Sequence, residues 1–268
     1  MIGPEPMSAE NPPVIIGTFP WNGWTVEDGT VDLTRRSLPS STVVIAAEPQ
    51  RVAIDLARTA LIVIDMQHEF CSPGGWVDSR GSDLAPGRAA VASLVALVPE
   101  LRRHSVPIIW LNWGNRPDRA NLPPGVLHVV NPTGTGIGFG DPLPGTGSRV
   151  LERDNWSTEI VSELEPDEAD LYIHKYRLSG FWDTELDSVL RNLDRTTLLF
   201  AGVNVDQCVL ATLTDAACIG YDCLLVADCC ATTSPEYCTL ATHYNVRGSL
   251  GFVIESPMLL DALGATAG

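Results

Sequence analysis

One stretch, residues 198–223 (LLFAGVNVDQCVLATLTDAACIGYDC), confines this chain to few architectures. It opens with a short apolar run, Leu198-Leu199-Phe200-Ala201, ended by Gly202. Its length and flanks are those of a strand buried on both faces, as strands of parallel sheets are. A tight Val203-Asn204-Val205-Asp206 turn is expected next, and Cys208 then falls in the first turn of a helix whose Val209, Leu213, Ala216 and Ala217 share one face. A thiol there feels the positive end of the helix dipole, which favours thiolate, and the free N–H groups beside it can hold an oxyanion. A free cysteine that merely fills space would look the same. What else arrives at that place decides between the two.

Other segments repeat the strand-and-helix alternation. Residues 60–64 read as a first strand ending at Asp65, and residues 106–111 as a second after a helical pattern over 87–104. A third strand over 170–174 delivers Lys175, and a helix over 183–193 precedes the strand before Cys208. Strands over 223–228 and 252–254 come next, separated by a helix with Ser234 as N-cap and Pro235 at its first position. Such alternation predicts right-handed βαβ units and an α/β fold with a mostly parallel sheet of about six strands, covered on both faces. Ligands of such sheets bind beyond the carboxyl ends of the strands. Asp65, Lys175 and Cys208 all fall at such ends. Asp65 is placed to take a thiol proton, and Lys175 to lower the thiol pKa and hold Asp65 ionised. Taken singly, Asp65 reads equally as a turn cap and Lys175 as a surface lysine.

Residues 1–58 are rich in Pro, Ser, Thr and charge around the cluster Phe19-Pro20-Trp21-Asn22-Gly23-Trp24. They are read as an arm packed on the body or on a neighbouring subunit, leaving 59–268 as the main domain. Residues 112–148 shift to Gly, Pro and Asn and read as a long loop, within which residues 134–140 read as a mobile stretch over the site. A net charge of −16 argues against nucleic acid or an anionic membrane as partner. The opening residues lack the apolar core of a leader peptide, no run is long enough for a membrane span, and the seven cysteines are unpaired in spacing. The reading is a reduced cytoplasm.

The residues also carry a resemblance. Leu61-Ile62-Val63-Ile64-Asp65-Met66-Gln67 with Phe70 and Gly74-Gly75, then Lys175 with Ser179-Gly180-Phe181, then Gly202-Val203-Asn204-Val205-Asp206-Gln207-Cys208-Val209, resemble in order and spacing the three motifs of the isochorismatase-like cysteine hydrolases. The resemblance covers residues 58–262. It implies a three-layer αβα sandwich, an Asp65–Lys175–Cys208 triad, a cis Val203–Asn204 peptide, an oxyanion hole from the N–H groups of Asn204 and Cys208, and a homodimer or homotetramer.

Departures narrow the branch. Isochorismatases that cleave a vinyl ether lack the cysteine. Nicotinamidases carry a histidine-rich metal motif where this chain has Asn112-Trp113-Gly114-Asn115-Arg116-Pro117-Asp118, so no metal and no other cofactor is expected. The segment 175–181 looks most like ureidoacrylate amidohydrolases, with Leu178 where those have tyrosine. The segment 221–230 is similar to biuret and carbamoyl-type hydrolases. The implied activity is cysteine-dependent hydrolysis of a C–N bond in a small amide, ureide or carbamoyl compound, through a thioester. A metabolite-binding or thiol redox-sensing protein on the same fold is the alternative from another class.

Phe70, Asn112, Trp113, Tyr176, Phe181 and Trp182 are the pocket candidates, each of which core packing would equally explain. Arg177 or Arg116 would bind a substrate carboxylate or form surface ion pairs. Gly134-Thr135-Gly136-Ile137-Gly138 lacks the strand-then-helix context of a dinucleotide loop, and His68-Glu69 lacks the second histidine of a zinc helix. His104, His128, His174 and His243 show no ligand spacing.

Overall fold

The computed structural model describes residues 12–35 and 38–265; the opening residues 1–11, on which the leader-peptide reading rests, lie outside them. The chain enters through a small antiparallel sheet of β1 (Val14–Ile16), β2 (Trp24–Glu27) and β3 (Thr30–Asp32). Its tie to the body runs through Asn22, whose side chain donates to the Asn192 carbonyl (3.0 Å) and to Asn192 Oδ1 (2.7 Å). Trp21 lies under the Arg195 guanidinium at 5.8 Å.

A hairpin comes next, β4 (Thr42–Ile45) with β5 (Val52–Asp55), and it packs differently. Val43, Ile45, Ile54 and Leu56 are buried in the same cluster as the central strands. Glu48 exchanges backbone hydrogen bonds with Val253 at 2.9 and 3.0 Å, extending the edge of the main sheet. The segment 42–56 is thus part of the body, although its composition resembles that of the arm ahead of it.

The centre is a six-stranded parallel sheet of β6 (Thr59–Ile64), β7 (Ile108–Trp113), β8 (Leu171–Lys175), β9 (Thr197–Val203), β10 (Asp222–Ala231) and β11 (Phe252–Ile254), in the order β11-β10-β9-β6-β7-β8. Every residue of β6, β7 and β9 is buried, which is why they read as unbroken apolar runs. Side chains alternate between two cores. Leu61, Val63 and Trp110 join α3 (Ala85–Arg103), which follows the short helices α1 (His68–Cys71) and α2 (Trp76–Ser79), and α8 (Ser256–Gly264) on one face. Ile62, Ile64 and Phe200 join α5 (Leu186–Asn192) and α6 (Leu210–Ile219) on the other. Each such side chain, fully buried, contributes about 1.5–3 kcal/mol relative to exposure. The result is the three-layer α/β sandwich the sequence implies.

Leaving β6, the chain steps outward through β7 to β8, then returns beside β6 as β9 and steps the other way. The direction reverses between β6 and β9, so the crevice of this fold opens beyond those two strand ends.

Four local expectations need correction. β9 does not stop at Gly202 but runs through it to Val203. Cys208 lies not in an α-helical turn but in a wider π-type turn, Val205–Val209, ahead of α6. The helix α7 (Glu236–Asn245) starts one residue later than expected, with Pro235 rather than Ser234 at its N-cap. The segment 112–148 is not all loop: it contains the end of β7 and a helix, α4 (Pro124–Val130), whose Pro123-Pro124-Gly125 start disguises it.

Candidate active site

Asp65 comes directly after β6 in the left-handed region, with φ +53, and is fully buried. Its Oδ1 accepts the Trp113 backbone N–H (2.8 Å), and its Oδ2 faces Lys175 Nζ at 2.8 Å. The same Trp113 N–H reaches Gln67 Oε1 at 3.0 Å, while Gln67 Nε2 donates to the carbonyls of Trp113 (2.9 Å) and Thr158 (2.7 Å). Gln67 thus clamps the end of β7, which in turn fixes the Asp65 carboxylate.

Lys175 ends the edge strand β8 and reaches inward, fully buried. Besides Asp65, its ammonium donates to Cys208 Sγ (3.2 Å) and to the Arg177 carbonyl (3.3 Å), and it lies 4.4 Å from the Trp113 ring centroid. A buried ammonium needs all three donors occupied, and here they are.

Cys208 owes its place to Gly202. A Cβ on Gly202, whose φ is +115, would lie 2.0 Å from the Ile64 carbonyl oxygen, so only glycine lets β9 run this close to β6. The following Val203–Asn204 peptide is cis. In the turn, the Asn204 carbonyl accepts from the N–H groups of Gln207 (3.0 Å) and Val209 (3.2 Å). The Asn204 N–H itself has no acceptor among the described residues.

The electrostatics differ from the thiolate expected of a helix N-terminus. Burial pushes the Cys208 thiol up to about 12; Lys175 pulls it down, but Asp65 adds to the rise. Burial also raises the Asp65 carboxyl above its ordinary range, against the downward pull of Lys175. Burial opposes the Lys175 charge, yet Asp65 and Cys208 outweigh it and hold the lysine above its ordinary value. Burial thus favours the neutral thiol and makes Asp65 a more basic acceptor than an ordinary carboxylate, while Asp65 and Cys208 favour the charged form of Lys175.

Above the thiol lies a cavity of about 630 Å³, walled by Phe70, Trp76, Trp113, Val130, Phe139 and Cys208, with Asn204 and Gln207 beside the thiol. Trp76 meets Phe70 edge-on, and Phe139 stacks on Trp113 at 5.7 Å. Glu69, buried and raised by that burial, accepts the N–H groups of Leu151 (2.6 Å) and Trp76 (3.0 Å), pinning two wall segments together.

The structure brings Asp65, Lys175, Cys208, Asn204, Phe70 and Trp113 to one place and sends the other candidates elsewhere. Asn112 is buried away from the cavity lining. Tyr176 donates its hydroxyl to the Asp183 carbonyl at 3.1 Å. Phe181 packs against Tyr221. Arg177 pairs with Asp183 and donates to the Asn121 carbonyl, and Trp182 donates to Asp215; both line an open groove that adjoins the cavity and shares Val126, Leu178 and Gln207 with it. Arg116 pairs with Asp118 at the surface. Trp76, Phe139, Leu178 and Arg80 line the cavity without having been singled out as pocket residues, although Leu178 had stood out as a departure.

Among the described residues no three His, Cys, Asp or Glu side chains gather closely enough to hold a metal ion, and no helix is long and apolar enough to cross a membrane.

A family model described as the isochorismatase domain matches residues 59–256. Among solved structures the chain is similar to a cysteine hydrolase from Pseudomonas syringae pv. phaseolicola 1448A, with 22% identity, TM-score 0.66, and 86% of this chain and 100% of that one covered. It is similar to an isochorismatase family protein from Desulfovibrio vulgaris subsp. vulgaris str. Hildenborough (24% identity, TM-score 0.62, 77% of this chain and 98% of that one). It is also similar to an N-carbamoylsarcosine amidase from Thermoplasma acidophilum (23%, TM-score 0.57, 74% and 96%). At these identities the structural likeness speaks for the fold.

Proposed function

The chain belongs to the isochorismatase family, and from that premise we propose that it is a cysteine-dependent hydrolase of a C–N bond in a small amide, ureide or carbamoyl compound. One observation carries the reading. The buried Lys175 ammonium touches both Asp65 Oδ2 and Cys208 Sγ beneath an open cavity, an arrangement with no structural economy unless a proton moves within it. The likeness to an N-carbamoylsarcosine amidase supports the C–N bond as the point of attack.

In this mechanism Asp65 takes the Cys208 proton as the thiolate forms and attacks the carbonyl carbon. The carbonyl π pair moves to oxygen, and the N–H groups of Asn204 and Cys208 hold the oxyanion. The C–N bond then breaks, Asp65 returns the proton to the leaving nitrogen, and ammonia or an amine departs from the thioester. Asp65 next takes a proton from water as that water attacks the thioester. The second tetrahedral adduct collapses, the C–S bond breaks, and Cys208 recovers its proton from Asp65. Lys175 stays an ammonium throughout and keeps Asp65 a carboxylate between transfers. The raised Asp65 suits this role, because a more basic carboxylate is a better acceptor for a thiol pushed up by burial.

The test is ammonia release from a panel of small amides, ureides and carbamoyl compounds, wild type against Cys208→Ala, with Asp65→Ala and Lys175→Ala alongside. Release that disappears in all three variants supports the reading. Full activity in Cys208→Ala would sink it.

A further inference from the structure

The cavity is built for more than the carbonyl group that Cys208 would attack. An amide of four heavy atoms displaces about the volume of three or four waters, roughly 100 Å³ at about 30 Å³ per water. The cavity measures about 630 Å³, in the middle of the range that encloses a drug-sized molecule. Its walls away from the thiol are apolar: Trp76, Val126, Val129, Val130, Phe139 and Leu178. Three of them, Val126, Val129 and Val130, come from α4.

One charged side chain lines this space, and it is a cation, Arg80. The exposed Arg80 guanidinium lies over the Trp76 ring, 4.9 Å from its centroid, which favours a cation there. Among the described residues it donates to no carboxylate or carbonyl, whereas Arg88, Arg116 and Arg177 nearby in the fold or sequence are each paired with an acid. In a chain of net charge −16, an unpaired guanidinium at the rim of an apolar pocket is the feature a substrate carboxylate would use.

Resting on the hydrolase reading, we propose that the substrate is an amide or ureide with a bulky apolar body, aryl or branched alkyl, that carries a carboxylate. The body fills the space between Trp76, Phe139 and α4, the carboxylate meets Arg80, and the scissile carbonyl stands over Cys208. Arg80 sets specificity and takes no part in the chemistry.

Binding separates this proposal from turnover. Calorimetric titration of Cys208→Ala protein compares N-carbamoylphenylalanine, N-carbamoylglycine, which lacks the apolar body, and phenethylurea, which lacks the carboxylate. The expected Kd for N-carbamoylphenylalanine is at least tenfold below either of the others. In the Arg80→Gln, Cys208→Ala double variant its advantage over phenethylurea should disappear while the phenethylurea Kd stays unchanged. Phe139→Ala in the same background should instead remove the advantage over N-carbamoylglycine.

Equal affinities for the three compounds, equal weakening of both aryl compounds by Arg80→Gln, or no binding of N-carbamoylphenylalanine at millimolar concentration would each overturn the proposal. Ammonia release by wild type and Cys208→Ala is read separately. Cys208-dependent release from small amides, without that ranking of affinities, leaves the hydrolase reading standing and this one refuted. Release that survives in Cys208→Ala refutes the hydrolase reading itself.

Discussion

Replacing Lys175 by Met tests the electrostatic core of the site, because Met fills a linear cavity but brings no charge. Both Lys175 and Asp65 are fully buried, so the substitution strands a carboxylate in the interior. Breaking a buried pair from one side typically destabilises by about 3–5 kcal/mol. Asp65, already raised by burial, would therefore rise further once the Lys175 pull is gone. Linkage sets the sign. A carboxyl whose folded pKa lies above its unfolded one favours folding when protonated, and stability is lost as pH rises from the ordinary carboxylate range to the raised value. In wild type Asp65 is raised less, because Lys175 pulls it down, so the same loss covers a narrower pH range; Lys175 itself, raised above its ordinary 10.5, contributes stability below that value and loses it as pH climbs through the raised one. The variant's deficit should accordingly be smaller at pH 4 than at pH 8. Urea unfolding monitored by tryptophan fluorescence at both pH values measures it. An equal deficit at both would mean that Asp65 carries no stranded charge and that the pair is not coupled as described.

Single contacts supply further tests. Asp65→Asn removes the acceptor of the Cys208 proton from a thiol that burial keeps protonated, so iodoacetamide should alkylate Cys208 more slowly than in wild type at the same pH, with turnover lost; unchanged alkylation would contradict the role of Asp65 as base. Gly202→Ala drives a Cβ into the Ile64 carbonyl, and a melting curve should show a loss of at least the roughly 1–3 kcal/mol typical of overpacking, with activity falling alongside. Glu69→Ala frees the Leu151 and Trp76 N–H groups, so steady-state kinetics should show KM rising more than kcat falls, with a stability loss of about 1–3 kcal/mol per stranded buried group. Ile45→Ala should cost about 2–5 kcal/mol in chemical denaturation if the hairpin is part of the core, and almost nothing if it is a detachable arm.

The central sheet could be read from the chain because its strands are buried on both faces: runs such as Ala60–Ile64 and Leu198–Ala201 have few other ways to be solvated. Asp65, Lys175 and Cys208 stood out for the same reason, since each lies at the end of a legible strand or in the turn just beyond it. The pocket walls were harder. Trp76, Phe139 and Leu178 come from three separate connections, and nothing in their spacing says that they converge. Residues next to Lys175 misled in the opposite direction: Tyr176, Phe181 and Trp182 are close in sequence, but the chain turns after β8 and spends them on Asp183, Tyr221 and Asp215. The hairpin at 42–55 was hidden by the polar residues around it, although Thr42-Val43-Val44-Ile45 alternates exposed and buried as a half-covered strand does. The thiol's environment depends on burial, which no spacing rule reports. Helix-terminus reasoning pointed to thiolate, and desolvation overrides it.

The most direct test of the central claim is the mass of the enzyme during turnover. Wild-type protein quenched in acid while hydrolysing an amide substrate should gain the mass of the acyl group, less one hydrogen, on the peptide containing Cys208. The Cys208→Ala protein should show neither the adduct nor product. Product formed without any adduct at Cys208, or formed by Cys208→Ala, would contradict the nucleophilic role assigned to this cysteine.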